Sequence, residues 1–187
     1  MIEVEVKLPL YRRSKTEQDL MALGFVPGDL IRESDVYYTS SFHDFMKNDE
    51  ALRIRISDNL TALSSRAELT YKGPKIDSVS MTRKELETHV SSPENCRLIL
   101  EALGYHPLFP VNKLRQYYRR DSVTACVDQV EGLGSFIEFE ILVEDESDRE
   151  TALKKIETIL DDLDLSLSES TRLSYLCMLQ KKAGDSA

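Results

Sequence analysis

The sequence predicts an α+β protein whose antiparallel sheet closes into a barrel, with a charged tunnel inside and helices packed outside. Three observations support this prediction. Apolar and charged residues alternate along several segments, helical segments lie between them, and the charges on the polar faces are sorted by sign from one segment to the next. Helices that cover the apolar faces would leave the charged faces to turn inward around a wet interior.

Length and composition indicate one folded domain. The chain has 187 residues, and its 24 Lys and Arg against 33 Asp and Glu give a net charge of −9. Nucleic-acid and anionic-membrane binders present a basic face instead, so we expect neither partner. No segment reaches the roughly 18 apolar residues of a membrane span, and the first residues carry charges where a signal peptide would be apolar. We therefore expect a cytoplasmic protein with one domain over residues 1–182 and a frayed tail at 183–187.

Capping signals predict most of the helices. Ser14 with Glu17, and Ser147 with Glu150, have the spacing of capping boxes, while Ser92 precedes a proline suited to a first helical position. Helices are predicted over four segments: residues 14–23, 93–103, 147–163 and around 172–180.

Alternation with period two predicts the strands. In the first strand, the even-numbered residues from Ile2 to Leu8 are apolar and the odd-numbered ones are charged. We interpret Gly73 and Pro74 as a turn that ends a strand, and Gly132 with Gly134 as a hairpin turn. The same alternation recurs over residues 52–56, 69–72, 113–117, 125–128 and 137–141.

A weak internal repeat suggests two related halves. The sequence ALGFVP at 22–27 matches ALGYHP at 102–107, and the tyrosine pair at 37–38 matches the pair at 117–118, both at an offset of 80 residues. The same offset places Glu5 on Glu85. We expect halves of about 1–80 and 81–165 that combine into one sheet system.

The charged faces are sorted by sign, which a merely solvated surface with cross-strand ion pairs does not require. A cluster of basic side chains in a closed barrel suits a polyanion such as a triphosphate, because arginine forks and lysine point charges both bind phosphate. The basic residues on these faces are Lys7, Arg53, Arg55, Lys72, Lys113 and Arg115.

Carboxylates in the same barrel point to a metal ion. Glu3 with Glu5, and Glu138 with Glu140, are two apart on their strands and can share a divalent cation with a substrate phosphate. Three scattered cysteines and three histidines provide no zinc motif, so we expect Mg²⁺ or Mn²⁺. Together the two charge clusters indicate phosphoryl-transfer chemistry.

Several motifs resemble those of the CYTH superfamily, the triphosphate tunnel metalloenzymes. The resemblance implies a barrel of about eight strands that binds a triphosphate with Mg²⁺ or Mn²⁺. In chain order the motifs are EVEVK at 3–7, LRIR at 52–55, TYKGP at 70–74, RKELE at 83–87, KLRQY at 113–117, DQVEGLG at 128–134 and EFE at 138–140.

The resemblance also assigns roles to individual residues. The six basic residues would contact phosphates, and Glu85, Glu87 and Asp128 would support them. The expected catalytic residues are Glu3, Glu5, Lys7, Glu138 and Glu140. The expected metal ligands are Glu3, Glu5, Asp128, Glu138 and Glu140.

Within the superfamily the chain looks most like the class IV, CyaB-type adenylyl cyclases. The likeness lies in DF at 44–45, DEALRIR at 49–55, TYKGPKID at 70–77 and SY at 174–175. It implies conversion of ATP to 3′,5′-cyclic AMP and pyrophosphate, and a homodimer. Two alternatives stay open: a triphosphatase acting on thiamine triphosphate, tripolyphosphate or a nucleotide, and a non-catalytic nucleotide or polyphosphate sensor. The retained carboxylates favour an enzyme over the sensor.

Overall fold

A computed structural model describes residues 2–76 and 81–184 of the chain. Residue 77 of the TYKGPKID motif and residues 185–187 of the predicted tail lie outside this range. The strands are β1 (Ile2–Pro9), β2 (Val26–Ser40), β3 (Ala51–Asn59), β4 (Ser64–Lys75), β5 (Arg83–His89), β6 (Tyr105–Pro107), β7 (Val111–Arg120), β8 (Val123–Val130) and β9 (Gly134–Val143). The helices are α1 (Arg13–Ala22), α2 (Pro93–Ala102), α3 (Arg149–Asp162) and α4 (Tyr175–Gly184).

Eight of the strands form a closed antiparallel barrel. Their order is β3, β4, β5, β1, β9, β8, β7, β2, and the pairing of β2 with β3 closes the ring. The short strand β6 is additional and pairs with the last residues of β2, beyond the stretch that β7 covers. This architecture confirms the predicted α+β fold with helices outside the barrel. None of the helices in the described chain is long and apolar enough to cross a membrane.

The offset of 80 residues holds for whole elements. Helices α1 and α2 begin and end 80 residues apart, and each is followed by a leucine cap and a glycine with positive φ, 85° at Gly24 and 89° at Gly104. Glycine adopts this left-handed conformation without strain, so both helices end in the same way. Strand β1 corresponds in the same manner to β5, and the long strand β2 to β6 and β7 together.

The outward face of β1, β8 and β9 forms the main core. The even-numbered apolar residues of β1, such as Val4 and Val6, are buried together with Phe139 of β9 against Ile156 and Leu160 of α3. Each fully buried side chain of this kind contributes about 1.5–3 kcal/mol to stability.

Helix α2 covers the opposite side through Leu100, which packs on Tyr38 and Ile54. The helices therefore occupy the apolar faces, as the alternation predicted, and leave the charged faces inside.

Only one of the three predicted helix caps is correct. The hydroxyl of Ser92 accepts a hydrogen bond from the Asn95 amide at 3.2 Å, as expected. The box at Ser14 is wrong, because α1 begins one residue earlier and Ser14 is already helical. The box at Ser147 is also wrong, because Ser147 lies inside a 3-10 turn at Glu146–Asp148 that precedes α3. The backbone N–H of Ser147 donates to the Asp145 side chain, so Asp145 caps this turn.

Two further differences from the predicted elements concern α4 and β4. Helix α4 begins at Tyr175, later than predicted, and includes Ala183 and Gly184. Gly73 and Pro74 lie within β4 rather than in a turn, where the register to β5 shifts between Lys72 and Lys75. A bulge tolerates a proline because its missing N–H leaves no ladder position unpaired.

The glycine-rich hairpin prediction is correct. A turn at residues 131–133 joins β8 to β9, with φ of 78° at Gly132 and 104° at Gly134. A Cβ atom on Gly132 would come within 3.2 Å of the Leu179 side chain, so this turn packs closely against α4.

We expect the packing of α3 to determine stability. Ile156→Ala should lower the free energy of unfolding by about 2–5 kcal/mol, because Ile156 has 0% exposure and its removal leaves a cavity. Ile99→Ala in α2 is the matched control, since Ile99 is 60% exposed, and should change stability by no more than about 0.5 kcal/mol. Urea unfolding measures both, and equal losses would contradict this account of the core.

Candidate active site

The interior of the barrel is a cavity of about 410 Å³ lined mainly by charged side chains. All six basic residues predicted from the sequence line it. So do the predicted carboxylates apart from Asp128, which lies in the wall behind Arg115 with no exposed surface. The structure therefore brings the predicted residues together in one tunnel.

Strand register places most inward cations directly opposite carboxylates. This explains why the charges are sorted by strand, because at these five positions the neighbouring strands carry opposite signs and compensate each other. The facing pairs are Arg55 with Asp35, Lys113 with Glu33, Arg115 with Asp128, Lys7 with Glu138, and Lys72 with Glu85.

Asp35 anchors the arginines of β3. Arg55 Nε donates to Asp35 Oδ1 at 2.6 Å and Arg55 Nη2 donates to Oδ2 at 2.7 Å, which is a two-pronged charge-assisted pair. Arg53 Nη1 lies 3.4 Å from Asp35 Oδ2, and Arg53 Nη2 donates to Thr70 Oγ1 at 3.3 Å. Both guanidinium planes are thus held in place before any ligand arrives.

Asp128 has the same role on the adjoining strands β7 and β8. Arg115 donates to its two oxygens at 2.7 and 2.6 Å, and Lys113 Nζ lies 3.2 Å away. The hydroxyl of Tyr175 donates to Asp128 Oδ2 at 3.0 Å. Arg115 also donates to Glu138. Both oxygens of Asp128 are therefore occupied by protein donors.

Glu33 joins the two basic walls. Its Oε2 atom lies 3.0 Å from both Arg55 Nη1 and Lys113 Nζ. Glu33 and Asp35 are absent from the site residues predicted from the sequence, although residues 33–37 alternate with the same period of two as the predicted strands.

Helix α4 closes part of the tunnel with an aromatic ring. Lys7 Nζ lies 4.4 Å from the centre of the Tyr175 ring and Lys113 Nζ lies 5.4 Å from it. Phe136 packs edge-on against the same ring at 5.0 Å. A cation over an aromatic face is attracted by the ring quadrupole, so Tyr175 both covers the lysines and helps to retain their charge. The SY motif indicated this residue but not its position.

The remaining wall involves the segment between β2 and β3. The amide of Lys75 donates to Asp49 Oδ2 at 3.0 Å, and the Lys75 ammonium also pairs with Asp49. Glu50 accepts a hydrogen bond from the Tyr71 hydroxyl at 2.8 Å and contacts His43 Nε2 at 2.5 Å. These contacts connect the segment to β4, and both acidic residues line the cavity.

The carboxylates fall into two groups by their pKa. Burial opposes the ionisation of Glu138, but the charges of Arg115 and Lys7 outweigh it and hold its pKa well below the usual value. Burial likewise opposes the ionisation of Glu33, yet Arg55 and Lys113 lower its pKa to about 2. These carboxylates remain charged and keep the cations in place.

The second group consists of Glu3 and Glu140, whose pKa values are raised; with Glu5, which lies beside them, they form what we call the acidic cluster. Burial and the charge of Glu140 raise the pKa of Glu3 to about 8. Burial raises the pKa of Glu140 to about 7, which the charge of Arg115 only partly opposes. Glu5 stands directly opposite Glu140 in the β1–β9 register, and such like-charged pairs repel.

The acidic cluster fits a divalent cation by donor type. Three carboxylates on adjacent strands provide only oxygen ligands, which Mg²⁺ and Mn²⁺ prefer, and a cation would relieve their repulsion. In residues 2–76 and 81–184, no group of three or more His, Cys, Asp or Glu side chains is already arranged to hold a metal ion. The side chains would therefore have to rotate toward a cation.

Comparison with known proteins agrees with this geometry. The profile of the CYTH domain family matches residues 1–175. This chain belongs to the CYTH domain family. Membership confirms the family predicted from the motifs, and it implies a triphosphate substrate such as ATP together with a divalent cation.

Two named relatives of this CYTH protein align over nearly its whole length. A Methanocaldococcus jannaschii protein, provisionally named an adenylate cyclase, is 37% identical over 176 residues, which are 94% of this chain and 97% of that protein. Adenylate cyclase CyaB of Aeromonas hydrophila is 24% identical over 184 residues, which are 96% of this chain and 89% of that protein.

Two solved structures show the same fold. PH1819 from Pyrococcus horikoshii superposes with a TM-score of 0.87 at 36% identity and covers 96% of this chain and 99% of that one. A Hippeastrum protein gives a TM-score of 0.66 at 17% identity and covers 97% of this chain and 95% of that one. It is provisionally named an adenylyl cyclase and is described as having a dominant triphosphatase activity. At this identity the second likeness concerns the fold alone.

We expect the acidic cluster to make the metal-free CYTH protein less stable at high pH. The pKa of Glu3 is raised from its ordinary value of 4.5 to about 8 on folding, so its contribution to stability is fully present below pH 4.5 and is lost as the pH rises through 8. Between pH 6 and 9, Tm in a chelator should therefore fall by several degrees.

Glu3→Gln carries no titratable group at this position, so its Tm should depend less on pH. Differential scanning calorimetry of both proteins measures the slopes. Parallel slopes for the two proteins would show that Glu3 is ionised at ordinary pH and would contradict the raised pKa.

Proposed function

We propose that this CYTH protein is an adenylyl cyclase that converts ATP to 3′,5′-cyclic AMP and pyrophosphate with Mg²⁺ or Mn²⁺. The observation that carries the proposal is the division of one tunnel into a basic cage, formed by the six cations, and the acidic cluster. The basic cage can neutralise the negative charge of a triphosphate. The acidic cluster can hold a metal ion that also binds one of the phosphates. The names of the two aligned relatives support cyclisation.

The basic cage is suited to the β- and γ-phosphates. Arg53, Arg55 and Arg115 are each held by carboxylates, so they need little reorganisation when an anion binds. Arg53 Nε is buried and has no hydrogen-bond acceptor among the described residues. A phosphate oxygen would satisfy this donor. Lys72 and Lys113 add point charges on the two sides of the tunnel.

Several predicted residues act in this proposal by positioning others. Asp128 orients Arg115, and Glu85 pairs with Lys72. Glu87 accepts a hydrogen bond from Thr70 Oγ1 at 3.1 Å, and Thr70 in turn accepts one from Arg53.

We place Glu138 with these positioning residues as well, since it holds Lys7 at 3.0 Å and also pairs with Arg115.

Glu3, Glu5 and Glu140 are the residues that we propose as ligands of the divalent cation. When bound there, the cation would neutralise phosphate charge and promote deprotonation of the attacking ribose hydroxyl. Lys7 lies between the basic cage and the acidic cluster, with its Nζ atom 3.0 Å from Glu138 Oε1 and 3.4 Å from Glu5 Oε1. It can therefore contact the phosphate group that lies between the cage and the acidic cluster.

A triphosphatase is the second candidate, and one observation favours it. The pKa of Glu140 is raised to about 7 mainly by burial, which is the range where a carboxylate can accept a proton from an attacking water. The activity described for the Hippeastrum neighbour is hydrolysis of this kind. The basic cage would serve both reactions, because it binds the same phosphate chain.

Product analysis distinguishes the two reactions. Incubation with ATP and Mg²⁺ or Mn²⁺ should yield cyclic AMP and pyrophosphate, resolved by chromatography, and a chelator should abolish turnover. Parallel reactions with tripolyphosphate and thiamine triphosphate test the alternative. Orthophosphate from any of these substrates, without cyclic AMP, would overturn the cyclase assignment in favour of a triphosphatase.

Arg53→Ala should reduce kcat/KM for the triphosphate substrate by about 10- to 100-fold, the range expected for losing hydrogen bonds from a charged donor. Arg32→Ala is the matched control, because Arg32 is exposed on the outer face of β2, and its activity should stay at the wild-type level. Thermal melts verify that both variants fold. Wild-type kinetics in a folded Arg53→Ala protein would remove Arg53 from the phosphate site.

A further inference from the structure

A second, smaller cavity adjoins the tunnel. It has a volume of about 190 Å³ and shares two lining residues, Arg66 and Tyr117, with the main cavity. The boundary between the two includes the Tyr117 hydroxyl, which lies 3.5 Å from Glu33 Oε1. The full lining is Asp29, Ile31, Ser57, Asn59, Ser64, Arg66, Tyr117 and Arg119.

The lining of this rear cavity is rich in hydrogen-bond donors. Arg119 lies over the Tyr117 ring at 5.8 Å and has no carboxylate within ion-pair distance among the described residues. Arg66 contacts Glu68 at 3.4 Å while 62% of its side chain remains exposed. Asn59 and Ser64 add polar groups, and Asp29 is the one acidic residue of the lining. The lining therefore carries a net positive charge.

Ser57 provides an independent sign of a ligand. The residue is 4% exposed, and its Oγ atom has no hydrogen-bond partner in the described chain. A buried hydroxyl without a partner costs free energy, so such groups in folded proteins are as a rule satisfied by an ordered water, an ion or a bound molecule that occupies the neighbouring space. Ser57 stands directly opposite Glu33 in the β2–β3 register, beside the boundary with the main tunnel.

The size of the rear cavity limits its occupant. Pockets for drug-sized ligands span roughly 300–1,000 Å³, which is larger than this cavity of about 190 Å³. A nucleotide does not fit, whereas a small inorganic phosphate compound does. Two arginines and a serine hydroxyl are the donors that such an anion requires.

We propose that the rear cavity is a second binding site for a small inorganic phosphoanion, and that pyrophosphate leaving the tunnel occupies it through Arg66, Arg119 and Ser57. The existence of this site is independent of the reaction. The choice of pyrophosphate as the occupant rests on the proposed function, because a triphosphatase would release orthophosphate instead.

Calorimetric titration of the metal-free protein with inorganic pyrophosphate tests the site. Wild type should bind at two sites, a tighter one in the basic cage and a weaker one in the rear cavity. Arg119→Gln and Ser57→Ala should each weaken the second phase, the arginine change by about tenfold or more. Arg53→Ala should weaken the first phase and leave the second.

Arg32→Gln removes the same charge from the outer face of β2 and should leave both phases unchanged. A second titration with orthophosphate shows which anion the rear cavity prefers, and preference for orthophosphate would overturn the pyrophosphate assignment.

Three results would overturn the rear site. These are a single phase in wild type, a second phase that Arg119→Gln does not weaken, or equal weakening by Arg32→Gln, which would reveal a general charge effect. Absence of all pyrophosphate binding would contradict the basic cage itself, and so is distinguishable from failure of the rear site alone.

Discussion

The pairing of opposite charges across neighbouring strands is the interaction on which the interior of this barrel depends. Buried ion pairs cost desolvation free energy, and apolar residues of similar size would often give a more stable core. The chain nevertheless places Asp35, Asp128 and Glu138 beside arginines and a lysine with almost no exposure. Such a network is understandable if its purpose is to hold cations in fixed positions for an anion, because preorganised charges need not reorient when the ligand arrives.

The same barrel contains carboxylates in opposite electrostatic states. Glu138 is stabilised as an anion by Lys7 and Arg115, whereas the half-buried Glu3 and Glu140 lie beside other carboxylates and their pKa values are raised. Their residue type is identical, so the difference comes from the neighbours that strand register provides. One set of carboxylates therefore supports the basic cage, and the other is available to a cation.

The offset of 80 residues also relates complementary charges on the tunnel wall. Glu33 and Asp35 on β2 correspond at the offset of 80 residues to Lys113 and Arg115 on β7. Strands β2 and β7 are neighbours, and Glu33 faces Lys113 directly. Equivalent inward positions thus carry acids in one half and bases in the other, so the two halves attract each other where they meet. The order of helices and strands is therefore shared at this offset, while the charges at equivalent positions have opposite signs.

The sequence by itself determined the barrel, the covering helices and the basic residues of the tunnel. Period-two alternation states which side of a strand is apolar, and the helices must cover that side. Only the tertiary structure decided which charge faces which. Strand order and register bring Asp35 to Arg55 and Asp128 to Arg115, and they bring Tyr175 from a distant helix over Lys7. The caps of α1 and α3 were also predicted wrongly. A shift of one or two residues in the start of a helix changes which side chain can accept hydrogen bonds from the unpaired backbone N–H groups. Contacts between residues far apart in the chain depend on closure of the ring, which no local pattern contains.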